Sequence, residues 1–267
     1  MESWPRRVQI MGVLNVTPDS FSDGGSYGSV QEAVDAGRRM VEDGADIIDV
    51  GGESTRPGAA PVSEAEEIRR VVPVVKKLSE LGIRVSIDTQ KAAVAKAAIE
   101  VGAAMVNDVS ALRDRPMATV CADSGVEVVL MHMLGTPETM QTAPAYEHVV
   151  AEVRSFLAER AALAEANGIA RNRIWIDPGI GFGKTREHNL DLIRGTDQLS
   201  ADGYPVLVGA SRKRFLGDLI GETDPRFRVE ATLVVHLEAV RRGAAMVRVH
   251  DVAAHRRALA VQSALIR

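Results

Sequence analysis

Short apolar runs alternate with longer amphipathic stretches along the whole chain. Eight runs, at residues 8–14, 45–50, 84–87, 103–106, 126–131, 173–176, 205–208 and 245–249, are rich in β-branched side chains. Runs of that length, mainly apolar, suit parallel strands buried on both faces. Helical spacing occupies residues 30–43, 91–101, 146–167 and 225–242, and a further stretch from Ser63 to about Leu81. Each ends at a glycine (Gly44, Gly82, Gly102, Gly168, Gly243), the usual helix stop before a new apolar run. Ser63 followed three residues later by Glu66 has the form of a capping box. Eight strand–helix units in 267 residues predict one α/β domain, residues 1–267, folded as a (β/α)8 TIM barrel. The alternative, a doubly wound open sheet, suits five or six strands better.

In such barrels the chemistry sits where the strands end. After the first run comes Asn15-Val16-Thr17-Pro18-Asp19-Ser20-Phe21, and after the second Gly51-Gly52-Glu53-Ser54-Thr55-Arg56-Pro57-Gly58. The next four end in Asp88-Thr89, Asn107-Asp108, His132 and Asp177-Pro178-Gly179. The seventh runs into Ser211-Arg212-Lys213, and the eighth carries Arg248 and His250-Asp251. Asp or Asn after a strand is more often a turn or cap residue than a catalyst, and Asp19, Asp108 and Asp251 are expected to hold loops. Asp88 and Asp177 abut strand residues directly and are expected to point into the barrel mouth.

Two chemical sets emerge. Arg56, Lys213, Arg248 and His250 are cationic, with Ser211 and Thr55 as hydroxyl donors; such a set suits a phosphate or diphosphate. Asp88, Asn107 and Asp177 cannot favour phosphate. They suit a neutral heterocycle presenting adjacent N–H donors. A flat polar ring attached to a diphosphate satisfies both sets.

Composition narrows the classes. Hydrophobic residues make up 46% and charged residues 25%, as in soluble globular proteins, while aromatics are only 4%, so aliphatic side chains and Met must fill the core. A formal net charge of −4 shows no nucleic-acid footprint, so any anion site must be a local cluster. No apolar run approaches a membrane span, and Met1 to Arg7 carries no apolar secretory segment. The lone cysteine, Cys121, forms no disulfide framework and is expected to be a buried small apolar residue in a reducing cytoplasm. Trp4 and Trp175 are expected to pack rather than to touch substrate. The stretch Gly179-Ile180-Gly181-Phe182-Gly183-Lys184-Thr185 resembles a nucleotide loop, but the position that a P-loop reserves for its first glycine is Pro178. Its glycines are instead expected to let the backbone fold over a bound ring lined by Phe182. The six histidines show no metal-binding spacing. A Mg2+ ion held mostly by diphosphate and water needs only one or two protein oxygens, and Asn15 is the candidate.

Taken together, the strand ends resemble the dihydropteroate synthase family. The matching stretches are residues 15–25, 49–58, 86–89, 106–110, 130–133, 177–184, 209–217 and 248–251, in family order, without departure at a functional position. The resemblance implies condensation of a pterin diphosphate with p-aminobenzoate by dissociative substitution. It implies a pterin pocket of Asp88, Asn107, Asp177 and Lys213, with Met131 and Phe182 as apolar walls; Asp88, Asp177 and Lys213 would be the catalytic groups. Asn15, Thr55, Arg248 and His250 would hold the diphosphate, Asn15 also touching Mg2+. The loops at residues 17–28 and 54–62 would close over p-aminobenzoate, with Phe21, Thr55, Arg56, Pro57, Ser211 and Lys213 lining that pocket and the loops' Glu, Asp and Arg excluding water. A homodimer is implied, and the apolar helix around residues 229–240 is either its contact or simple packing on the barrel. Two rivals stay open: a pterin-binding methyltransferase-type barrel, which needs neither a diphosphate site nor the Ser-Arg-Lys-Arg-Phe segment, and a silent paralogue acting as a binding subunit.

Overall fold

The computed structural model describes residues 7–16, 27–54, 61–136 and 139–265. Eight strands, β1 (Gln9–Asn15), β2 (Ile47–Gly51), β3 (Val85–Asp88), β4 (Met105–Asp108), β5 (Glu127–Met131), β6 (Ile174–Asp177), β7 (Val206–Val208) and β8 (Ala244–Val249), close into one barrel in sequence order. Every neighbouring pair is parallel, and β8 returns to β1 through Gln9↔Met246 and Met11↔Arg248. The expected runs and the observed strands agree to within one or two residues. The informative difference lies at the C-terminal ends, where β1, β3, β4 and β6 continue into Asn15, Asp88, Asp108 and Asp177. Asn and Asp disfavour strands intrinsically, yet pairing carries on through them, as in Gly51↔Asp88 and Met131↔Asp177.

The helices are α1 (Tyr27–Glu42), α2 (Glu64–Glu80), α3 (Ala92–Glu100), α4 (Arg115–Ser124), α5 (Val149–Ala166), α6 (Arg186–Arg194), α7 (Thr196–Leu199), α8 (Arg214–Ile220), α9 (Val229–Arg241) and α10 (Val252–Leu265). Tyr27 and Gly28, expected in a loop, begin α1. At α2 only half of the expected capping box forms: Ser63 Oγ accepts from the Glu66 amide at 3.3 Å, but the Glu66 carboxylate turns to Arg69 and Arg70. The reciprocal box occurs instead at α6, between Thr185 and His188. Pro225 opens a 3-10 turn capped by Asp224, and α9 starts four residues later than expected.

Strand side chains alternate between faces. The outward sets of β1–β8 join the helices in one aliphatic core that includes Ile10, Ile48, Val85, Val106, Leu130 and Ile176. The inward set, Met11, Ile47, Met105, Val129, Trp175, Leu207 and Met246, fills the barrel axis. Burial of each such side chain contributes roughly 1.5–3 kcal/mol. Trp175 is packing, as expected, and Cys121 is fully buried, its thiol pushed up to about 12 by burial and then by Asp108.

Candidate active site

The parity that points Met11, Ile47, Met105, Trp175 and Met246 inward also points the residues two further along inward. Asp49, Asn107, Asp177 and Arg248 therefore stand above the apolar plug, with Ser86 and Asp88 supplied by β3. All but Arg248 are buried.

Four of these groups, Arg248, Asp49, Asp88 and Asn107, form one network. Arg248 donates from Nε to Asp49 Oδ2 at 2.6 Å and from its terminal nitrogen to Asp88 Oδ2 at 2.7 Å. Asn107 Nδ2 donates to the same Asp49 oxygen at 2.9 Å. The two chemical sets read from the sequence are thus joined through Arg248 rather than held apart. Asp49 is the residue that sequence reasoning passed over, because it lies inside an apolar run. Its signal was a lone charge in Ile47-Ile48-Asp49-Val50, at the parity of Ile47. Its Oδ1 is buried and has no hydrogen-bond partner among the described residues.

Burial governs the protonation of the site. It pushes the Asp88 carboxyl up to about 7 against the attraction of Arg248. Asp177 is raised to about 6, again by burial, although Gly179 N–H donates to its Oδ1 at 2.7 Å. Burial alone would lower Arg248, but the charges of Asp49 and then Asp88 outweigh it and hold the guanidinium ionised. Gly51 and Gly209 leave the space in front of these groups open. A Cβ at Gly51 would stand 3.5 Å from Asp88 Oδ2 and 3.6 Å from Asn15 Oδ1, and one at Gly209 would stand 3.9 Å from Asp177 Oδ2.

Opposite the carboxylates, Lys213 places its ammonium 4.0 Å from the centroid of the Phe182 ring. Phe182 packs with Val109, Met131, Met133 and Met140, an apolar wall next to the pocket. Ser211 Oγ accepts the His250 backbone N–H at 3.1 Å and lies 2.9 Å from His250 Nδ1. Burial, then Arg248 and Arg212, lowers His250 to about 3. It is therefore a neutral imidazole here and not the cation expected from the sequence.

Two further expectations change. Two of the glycines after β6 serve packing between loops: at Gly179 (φ +66°) a Cβ would lie 1.9 Å from the His132 carbonyl oxygen, and at Gly183 one would lie 2.7 Å from Leu134 Cβ, whereas at Gly181 (φ +82°) one would lie 3.0 Å from Lys213 Cδ. Lys184, 3% exposed, ties the same loops together. It donates to the Phe182 carbonyl at 2.9 Å and lies 3.0 Å from His132 Nδ1, and burial lowers it to about 7. Glu53 is not free to shield a substrate: it accepts from Lys91 at 2.7 Å and from the Val62 amide at 2.9 Å, bracing the base of the β2–α2 connection. Asp108 and Asp251 hold loops as expected, Asp108 through Ser110 and Leu112 and Asp251 through Arg212. Thr55, Arg56, Pro57, Phe21 and Asp19 lie outside the described residues.

The family described as pterin binding enzyme matches residues 11–250. A dihydropteroate synthase of Mycobacterium leprae is 50% identical over 264 residues, covering 96% of this chain and 93% of that one. The structure of the Xanthomonas albilineans dihydropteroate synthase with 4-aminobenzoic acid superposes with a TM-score of 0.92 at 49% identity, covering 97% of this chain and 93% of that one. The same enzyme in complex with 7,8-dihydropteroate superposes with a TM-score of 0.89 at 46% identity, covering 97% of this chain and 94% of that one. On its barrel, its mouth and these likenesses, the chain belongs to the dihydropteroate synthases, transferases of folate biosynthesis within the pterin-binding enzymes.

Proposed function

We propose that this barrel mouth joins 6-hydroxymethyl-7,8-dihydropterin diphosphate to p-aminobenzoate, releasing 7,8-dihydropteroate and diphosphate. The observation that carries the reading is the buried set Asp88, Asn107 and Asp177 at the mouth that holds Ser211, Lys213 and His250, with Arg248 tied directly to Asp88 and through Asp49 to Asn107. Carboxylates and an amide in a dry pocket recognise the N–H edge of a pterin, and a competing ring without those donors would leave them unpaired. Met131 and Phe182 wall the ring. Arg248 retains donor capacity beyond its two carboxylate bonds. With Ser211 O–H and an imidazole N–H of His250, it meets the diphosphate oxygens.

The reaction follows from charge placement. As the C–O bond to diphosphate lengthens, positive charge spreads over the pterin, and ionised Asp177 and Asp88 lower the energy of that charge. Arg248, His250 and Ser211 meet the negative charge that grows on the leaving group. The amine of p-aminobenzoate then attacks the exocyclic carbon from a pocket bounded by Ser211 and Lys213, with Phe21, Thr55, Arg56 and Pro57 assigned to its remaining wall. Asn15 offers one amide oxygen beside Gly51, and among the described residues no three His, Cys, Asp or Glu cluster as a metal site. That donor set fits a hydrated Mg2+ carried by the diphosphate, with Asn15 as its protein ligand. Such an ion would screen the charge of the leaving group.

We also place the enzyme in the cytoplasm, as a homodimer. Among the described residues no helix is long and apolar enough to cross a membrane. On α9, Thr232, Val235, His236, Ala239 and Val240 pack on the barrel while Val234 stays 68% exposed, as does Val261 (62%) on neighbouring α10. Paired copies would cover both; sedimentation of the parent and of V234D tests this, and a monomeric parent overturns it.

The central test is a coupled assay of diphosphate release with and without p-aminobenzoate. Release that requires p-aminobenzoate and yields dihydropteroate supports the reading. Failure to consume pterin diphosphate sinks it.

A further inference from the structure

We propose that His236, on α9 behind the mouth, is a positioning residue for Ser211 and Lys213, acting through a chain of two imidazoles with defined tautomers. The Ala210 amide donates to His236 Nε2 at 2.9 Å. A backbone N–H cannot accept, so Nε2 carries the lone pair and the ring proton sits on Nδ1. That proton faces His255 Nε2 at 2.9 Å, which must then accept. The proton of His255 is thereby placed on its Nδ1, 2.8 Å from the Asp251 carbonyl oxygen. An amide at one end and a carbonyl at the other thus dictate both protons. Adding a proton to either ring would set two N–H groups against each other. Both rings are 1% exposed, and burial lowers the pKa of each.

The chain closes on itself. Asp251, whose carbonyl accepts from His255, pairs through its carboxylate with Arg212. Arg212 is two residues beyond Ala210 and holds φ +58°, a left-handed backbone state that is strained outside glycine. Its amide donates to Thr232 Oγ1 at 3.1 Å, and Arg228 donates to its carbonyl at 3.1 Å. The Lys213 amide returns to the Ala210 carbonyl at 3.2 Å. Residues 210–213 are therefore held in a strained turn by a circuit through His236, His255 and Asp251. That turn sets where the Ser211 hydroxyl and the Lys213 ammonium stand. Removing the acceptor at His236 leaves the Ala210 amide buried and unpaired, which favours relaxation of the turn.

This inference rests on the reading that Ser211 and Lys213 face substrate, and the experiment separates the two. The parent is first assayed for diphosphate release; no release overturns the synthase reading. His236→Gln puts an amide oxygen where Nε2 stood and keeps the bond from Ala210. His236→Asn keeps only a donor towards His255, and His236→Leu keeps neither. On folded protein, we expect kcat/KM for pterin diphosphate to fall about tenfold in the Asn and Leu variants and to recover to within about threefold in the Gln variant. A purely structural role would lower melting temperature in all three without separating their kcat/KM, and equal kcat/KM for Gln and Asn overturns the proposal. Should the variants not fold, the parent decides. Long-range proton–nitrogen spectra of its histidines are expected to show Nδ1–H at both 236 and 255, and a proton on His236 Nε2 overturns the chain whatever the activity.

Discussion

The barrel carries charge at both mouths, and the two ends treat it differently. At the N-terminal mouth Arg84 donates to Gln9 at 2.8 Å and to one Glu127 oxygen, while Trp175 Nε1 donates to the other Glu127 oxygen at 2.6 Å. Donors and acceptors match there, and the network is a plug. At the C-terminal mouth Asp49, Asp88 and Asp177 face Arg248 and Lys213, two carboxyls sit well above their ordinary range, and one Asp49 oxygen has no hydrogen-bond partner among the described residues. The paired end contributes stability. The under-paired end stores unfavourable burial that a donor-bearing ring relieves on binding, the usual exchange of stability for function.

Removing the central cation from each end should separate them most. Arg248→Met leaves Asp49 and Asp88 buried without their counter-ion and removes a donor to the leaving group; steady-state kinetics should show a loss of at least about a hundredfold, about 2.7 kcal/mol in barrier. The matching change at the plug, Arg84→Met, should keep turnover within about threefold, and equal losses would erase the distinction between the ends.

Asp177→Asn comes next. It should lower dihydropteroate formation at least about tenfold, about 1.4 kcal/mol, while leaving the fold intact by circular dichroism. Near-parental turnover would remove Asp177 from its role.

The pH dependence sharpens the same contrast. The folded pKa values of Asp177 and Asp88 lie above the ordinary carboxylate value, so the unliganded protein binds extra protons. Their contribution to stability is complete below about pH 4 and is lost as pH rises through about 6 and 7. Ring binding needs the ionised carboxylates, so affinity should run the other way, beginning to fall below about pH 7 as Asp88 protonates and more steeply, towards about a hundredfold per pH unit, once both carboxyls are protonated below about 6. Calorimetric titration of a pterin across that range checks the sign, and an affinity independent of pH would contradict it. In Asp177→Asn the acid loss of affinity should be shallower.

The smallest effect is expected at the plug. Glu127→Gln weakens its bonds from Arg84 and Trp175 and should lower stability by about 1 kcal/mol in urea melts with turnover unchanged. A large loss of turnover would mean that the lower mouth communicates with the upper one.

The eight apolar runs, their order and the polar residues that end them were legible in the sequence, because buried parallel strands and glycine stops leave a local pattern. So were the inward carboxylates Asp88 and Asp177, by adjacency to strand residues. Asp49 was not, since a charge inside an apolar run becomes meaningful only when parity turns it towards Arg248, 199 positions away. The charge of His250 was misjudged because a neutral imidazole is created by burial and by neighbouring cations that only the fold assembles. The glycines of residues 179–183 marked a close approach correctly, but what they approach, residues 132 and 134 at Gly179 and Gly183 and the Lys213 side chain at Gly181, depends on neighbouring strands.

Local chemistry along the chain was therefore enough to determine the strands, their ends and the kind of ligand those ends can read. Tertiary structure alone decided which charges meet, which are left unpaired and which proton each histidine carries. Those properties depend on distance and solvent exclusion between residues far apart in sequence, and no local pattern encodes them.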